Sequence, residues 1–263
     1  MNIVEAYIKF KPGLIILISG MTGSHISRLG KNLSKDINIA VLSYANFCKE
    51  GYNNRVRLPN GTEIINWDSD ETIDWDRLNA QVKIAREKGV IVFAPAFPID
   101  KLDQDIQIDA HIHIKLAKQN LLAKRQSYIQ KHPEECKDLF GRDPGMELQI
   151  FNKYTFPYYL QSLERSKVTK FINANEFSNE SDEVYDERLA NEAFSYLMSF
   201  INRWLEQYHK SSSSPSPSPA GSYQQPSQAG KYKPKFGPKG KQDEEDDLED
   251  EEFDLDEEPA MII

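Results

Sequence analysis

Residues 20–28, GMTGSHISR, place two glycines, three hydroxyl side chains and an arginine where an apolar run, LIILIS, gives way to an amphipathic stretch. A turn of that kind leads a strand into a helix, and its backbone N–H groups can close around a phosphate at the helix N-terminus. Set against G-x-x-x-x-G-K-[ST], Gly20 takes the first position and Ser27 the last, but His25 stands at the second glycine and Ile26 at the lysine. The candidate phosphate-binding residues are therefore Gly20, Thr22, Gly23, Ser24 and Ser27, with Arg28 as the nearest cation. The same residues also suit a plain strand-to-helix turn, for which Gly and Ser are favoured on backbone grounds alone.

Other groups with chemical potential are fewer. His111 and His113 alternate on a strand candidate and share a face, but no third ligand is near in the sequence, so no metal site is expected. Cys48 and Cys136 are too few and too isolated for a disulfide framework or a zinc site, which fits a reducing, cytoplasmic setting.

The elements that must position these residues follow an alternating pattern. LIILISG, NIAVLSYANF, VIVFAPAF and AHIHIKL are strand candidates; SRLGKNLSKDI, WDRLNAQVKIAREKG and AKQNLLAKRQSYIQKH are helix candidates. Gly89 is placed to cap the end of the second of these helices. Strands and helices taking turns, with continuous apolar strands, predict a parallel sheet covered on both faces. In such a sheet the ligand crevice lies beyond the carboxyl ends of the strands, where the loops 20–27, 44–50 and 94–99 fall.

Taken in order, these segments resemble the P-loop nucleoside kinases, most closely the uridine kinase and nicotinamide riboside kinase group. GMTGSHISRLGKNL is similar to that family's phosphate loop and first helix, and VLSYANF to its second strand. INWDSDETIDWDRL resembles the segment carrying a ribose-binding Asp, which falls at Asp68. LLAKRQSYI, with Lys124 and Arg125, resembles the start of the lid, and FNKYTFPYYLQSLERSKVTKFINA the helix and last strand beyond it. The resemblance spans residues 12 to 177. It implies a P-loop kinase-like, three-layer α/β/α fold with a mostly parallel sheet, and ATP with Mg²⁺ as the family's cofactors. Asp68 sits in a stretch, WDSDETIDWD, that also suits turns and helix caps. Lys124 and Arg125 equally fit as phosphate clamps or as solvated helix residues. KHPEECKDLFGRDPG reads as a lid or as a surface loop.

The departures from the family are chemical. Phosphoryl transfer depends on neutralising charge on the phosphates and positioning the attacking group. Ile26 cannot supply the loop cation, Tyr44, Ala45 and Asn46 offer no carboxylate where the second strand ends, and Ala94-Pro95-Ala96 stands where relatives have an acid near magnesium. Each such contact is worth about 3 kcal/mol in a transition state, so no catalytic residue and no metal ligand is assigned.

The net charge of −9 is concentrated at one end: residues 210–263 hold 13 acids and 6 lysines, a net −7 that leaves −2 for residues 1–209. The expected organisation is a folded domain at 1–208, a disordered linker rich in Ser, Pro, Gly and Lys at 209–242, and an acidic disordered tail at 243–263. The tail carries Leu248, Phe253 and Leu255 among its acids, a composition suited to docking on a basic protein partner. Six lysines opposed by 13 acids make nucleic acid a poor partner. No stretch reaches membrane-spanning length, so a soluble protein is expected.

Overall fold

A computed structural model of the chain describes residues 3–11, 13–131 and 144–212. In chain order the elements are α1 (Ile3–Phe10), β1 (Ile15–Ser19), α2 (Ile26–Ile37), β2 (Ala40–Ser43), β3 (Arg55–Arg57), β4 (Glu63–Ile65), α3 (Trp75–Ala85), β5 (Val90–Ala94), β6 (Ala110–Lys115), α4 (Lys118–Lys131), α5 (Pro144–Ile150), α6 (Phe156–Glu164), β7 (Lys170–Asn173) and α7 (Asp182–Ser212). Five strands form one parallel sheet in the order β2-β5-β1-β6-β7, and β3 and β4 make a separate antiparallel hairpin.

β1 is central, with β5 on one side and β6 on the other, so all five of its residues are buried and it reads as an unbroken apolar run. Alternation sends Ile16 and Ile18 into a core formed with α1, α2 and α7, and Ile15 and Leu17 into a second core formed with α3. α2 presents Leu29, Leu33 and Ile37 to the first core, and α3 presents Leu78 and Val82 to the second. The result is the expected three-layer α/β fold, with helices on both faces of a parallel sheet.

α7 was not foreshadowed by the motifs. Its Tyr185, Leu189, Ala193, Leu197 and Ile201 recur every fourth residue and are essentially fully buried, so this helix, about 46 Å long at 1.5 Å per residue, packs with α1 and α2 over one face of the sheet. It runs to Ser212, beyond residue 208. Its far end packs on α1 through Tyr7 against Trp204 and Phe10 against Tyr208. α1 is tied in turn to the sheet by Asp109, whose carboxylate accepts from the Tyr7 hydroxyl and the Ile15 N–H, both at 2.8 Å, and pairs with Lys11.

The linker from residue 213 and the acidic tail lie outside the described residues, as do residues 132–143 of the stretch that reads as a lid or a surface loop. Among the described residues, no helix is long and apolar enough to cross a membrane.

Candidate functional site

The loop between β1 and α2 is held at its base by the sheet. The Gly20 N–H reaches the carbonyls of Ala94 and Pro95, at 3.3 and 3.1 Å. A Cβ on Gly20 would lie 2.5 Å from Ser24 Oγ and 3.0 Å from Ile26 Cγ2, so only glycine fits there. Ser24 is fully buried and donates its hydroxyl to the Met21 carbonyl at 2.6 Å, which closes the turn and takes its side chain out of reach of a ligand. Gly23 has a φ of 99° and lies against the α4 backbone at Leu121 and Arg125.

His25 has a φ of 62° and a ψ of 22°. The position therefore keeps the left-handed conformation for which a glycine is suited, and a histidine adopts it at a cost of about 1–2 kcal/mol. Its ring is drawn sideways onto α7: Nδ1 is 2.6 Å from Asp186 Oδ1, and the imidazole meets Tyr185 edge-on with centroids 4.9 Å apart. Ile26 folds back toward Gly20 and packs on the core below, so an apolar group fills the lysine position. Arg28 donates to the other oxygen of Asp186 at 2.9 Å.

Above the loop, at the carboxyl ends of β1, β2 and β5, is a cavity of about 440 Å³. Thr22, Gly23, His25, Ile26, Ser27 and Arg28 line one side, and Ser43, Tyr44, Ala45, Phe93, Ala94 and Pro95 the other, with Lys124 and Tyr128 at the edge. The cavity thus sits where a parallel α/β sheet places a ligand crevice, beyond the carboxyl ends of its strands.

Solved structures similar to this chain include a protein assigned as a fructose transport system kinase from Silicibacter sp. TM1040 (15% identity over 65% of this chain and 97% of that one, TM-score 0.42). A gluconokinase from Sinorhizobium meliloti 1021 is 12% identical over 76% of this chain and 98% of its own, with a TM-score of 0.42. A protein assigned as a uridine kinase from Bacillus stearothermophilus is 12% identical, covering 65% and 97%, with a TM-score of 0.39. No family model matches the chain, and no curated protein matches it. At such distances no residue role transfers.

The remaining candidates separate. Lys124 borders the cavity but is half-buried, its ammonium 4.1 Å above the Tyr185 ring, and burial lowers its pKa against the pull of Asp182 and Asp186. Arg125 is not solvated: it is buried, pairs with the buried Glu147 of α5, and is not among the residues lining the cavity. Asp68 does not line the cavity. Burial raises its pKa, partly opposed by the Thr155 hydroxyl that donates to Oδ2 at 2.7 Å and by the nearby Arg125 charge. The capping in this stretch is done instead by Ser69 and Asp74, which accept from the backbone of Glu71 and Arg77. Asp70 receives the Tyr158 hydroxyl at 2.9 Å and Arg165 at 2.8 Å, fastening the segment to α6.

One arrangement adjoining the loop was invisible in the sequence. Ser19, the last residue of β1, lies 2.7 Å from His111 Nε2 and 2.8 Å from His113 Nδ1, and His113 Nε2 is 2.7 Å from the Tyr159 hydroxyl. His111 Nδ1 faces the Lys167 carbonyl at 3.1 Å. A carbonyl can only accept, so His111 must carry its proton on Nδ1, leaving Nε2 to accept from Ser19. The Ser19 oxygen then accepts from His113 Nδ1–H, and Tyr159 donates to His113 Nε2. The chain runs in one direction, Tyr159 to His113 to Ser19 to His111 to Lys167, and uses every ring nitrogen with both imidazoles neutral. Burial drives both pKa values down, His111 to about 4 and His113 to about 3, the latter also lowered by its neighbours His111 and Lys115. The H-x-H pair is therefore a structural relay on the sheet, supporting the strand that delivers Gly20.

Proposed function

We propose that this chain is a catalytically inactive relative of the P-loop nucleoside kinases that serves as a nucleotide- or nucleoside-binding or scaffold subunit. One observation carries the reading: none of the described residues lining the cavity is a carboxylate, and Ile26 fills the cation position. Magnesium is usually held by one or two carboxylates together with substrate phosphates. The hydroxyls of Thr22, Ser27 and Ser43 are a poor substitute, so the donor set does not fit a magnesium–triphosphate, and no transfer step is derived through one. The 440 Å³ cavity supports retained small-molecule binding over a purely structural role.

The purified full-length protein is expected to transfer no phosphate from ATP to uridine, cytidine or nicotinamide riboside above the enzyme-free rate, measured by product formation with Mg²⁺ present. ATP-dependent turnover that is abolished by Ser27→Ala would overturn the reading and favour an active kinase with displaced catalytic groups.

The acidic segment 243–258 is proposed to recruit a basic protein partner. Removing residues 213–263 should leave the melting temperature unchanged, because the segment is too poor in aliphatic residues to contribute to a core. Partner capture by the full chain should weaken steeply with added salt and fall when Phe253 and Leu255 are both replaced by Ser. Capture that survives both treatments would reduce the tail to a spacer.

A further inference from the structure

The basic side chains around the loop are already engaged by groups of α7. His25 and Arg28 each contact one oxygen of Asp186, Asp182 lies 3.8 Å from His25 Nε2, and Lys124 rests on the ring of Tyr185 between those two acids. All of these acids sit in the first turns of α7, a helix fixed along the sheet by its buried stripe, so they are not loose side chains that an incoming anion could push aside cheaply. A phosphate approaching the loop would meet Ile26 in place of a lysine, Arg28 already paired with Asp186, Lys124 lying over Tyr185, and the carboxylates of Asp182 and Asp186 beside them. Like-charge approach in a partly buried site is strongly unfavourable.

The cavity is nevertheless open and of small-molecule size. Its walls include the flat or apolar surfaces of Phe93, Pro95, Ile26 and Tyr44, and its uncharged polar groups include the hydroxyls of Thr22, Ser27 and Ser43. Apolar walls with a few placed hydroxyls suit a ring that itself carries hydroxyls, and the lining cations Arg28 and Lys124 are already held by Asp186 and by the Tyr185 ring.

We propose that the cavity binds an uncharged, hydroxyl-bearing ring compound of the nucleoside class, and that Asp186 is a built-in counter-anion that excludes phosphorylated ligands from it. This rests on the reading of the chain as a binding subunit and narrows its ligand from nucleotide to nucleoside. Asp186 holds His25 and Arg28 as a bound phosphate would, so both are already engaged before any ligand arrives.

Calorimetry on the full-length protein with adenosine, ATP and inorganic tripolyphosphate tests this. Adenosine is expected to bind, with ATP and tripolyphosphate binding no more tightly. Asp186→Asn, nearly identical in shape, should release Arg28 and His25 and shift the ATP-to-adenosine affinity ratio at least tenfold toward ATP. Ala45→Trp, which fills the cavity, should abolish adenosine binding. Wild-type protein that prefers ATP tenfold or more, an affinity ratio unmoved by Asp186→Asn, adenosine retained by Ala45→Trp, or no adenosine binding at all would each overturn the proposal. If Asp186→Asn does not fold, the wild-type preference decides alone. Phosphotransfer activity would defeat the inactive-subunit reading whatever the preference, whereas a preference for ATP without turnover would defeat only the present inference.

Discussion

Lowering the pH from 7 to 4.5 is expected to remove about 5 kcal/mol of folding stability at the upper end, enough to bring an ordinary domain close to unfolding. The cause is the pair of imidazoles under the loop. Unfolded, each has the usual histidine pKa near 6.5; folded, His111 falls to about 4 and His113 to about 3. A folded pKa below the unfolded one means that the unfolded chain binds protons first. The contribution is therefore complete above pH ~6.5 and is lost as the pH falls toward the folded values, at about 1.4 kcal/mol per group for each pH unit. Urea unfolding at pH 7, 6, 5 and 4.5 should show this slope. Imidazole ¹⁵N shifts should show both rings neutral and protonated on Nδ1 down to pH 5. Stability that stays flat over that range, or an Nε2–H tautomer at His111, would contradict the one-way chain.

Ser19→Ala should destabilise the fold by about 2–5 kcal/mol, far more than a serine-to-alanine change on a surface. The hydroxyl serves two partners at once, so its loss leaves both the His111 Nε2 acceptor and the His113 Nδ1–H donor buried without Ser19, and an unsatisfied buried group costs about 1–3 kcal/mol. Tyr159→Phe removes only the donor at the end of the chain and should cost about half as much. Chemical denaturation of the two variants orders them. Equal effects, or a loss below about 1 kcal/mol for Ser19→Ala, would mean that the serine is not the hub. Because Gly20 follows Ser19 directly, the same variant should also loosen the loop, read as faster amide exchange at Thr22 and Gly23.

The amino-acid sequence by itself determined the parallel sheet, because strands buried on both faces must be continuous apolar runs, and LIILIS and VIVFA are such runs whatever surrounds them. It also determined where the loops would gather, and that Ile26, Tyr44–Asn46 and Ala94–Ala96 bring neither a loop cation nor a carboxylate, since residue identity alone settles what a side chain can donate or accept. Helix α7 was less legible: its stripe of Tyr185, Leu189, Ala193, Leu197 and Ile201 has helical spacing, but only the helix's place along the sheet brings Asp182 and Asp186 to the β1–α2 loop, more than 150 residues away in the chain. His25 stands in the sequence where the motif has its second glycine, and in the structure its backbone keeps the glycine-like turn while its ring turns to α7. Arg125 read as a clamp or a solvated side chain and became a buried ion-pair partner of Glu147. His111 and His113 read as a doubtful metal pair, because the groups that satisfy them lie on β1, α6 and the turn before β7. Local spacing specifies which face a side chain takes on its own element; the partner it meets there is set by packing between elements distant in sequence, and that only the tertiary structure decided.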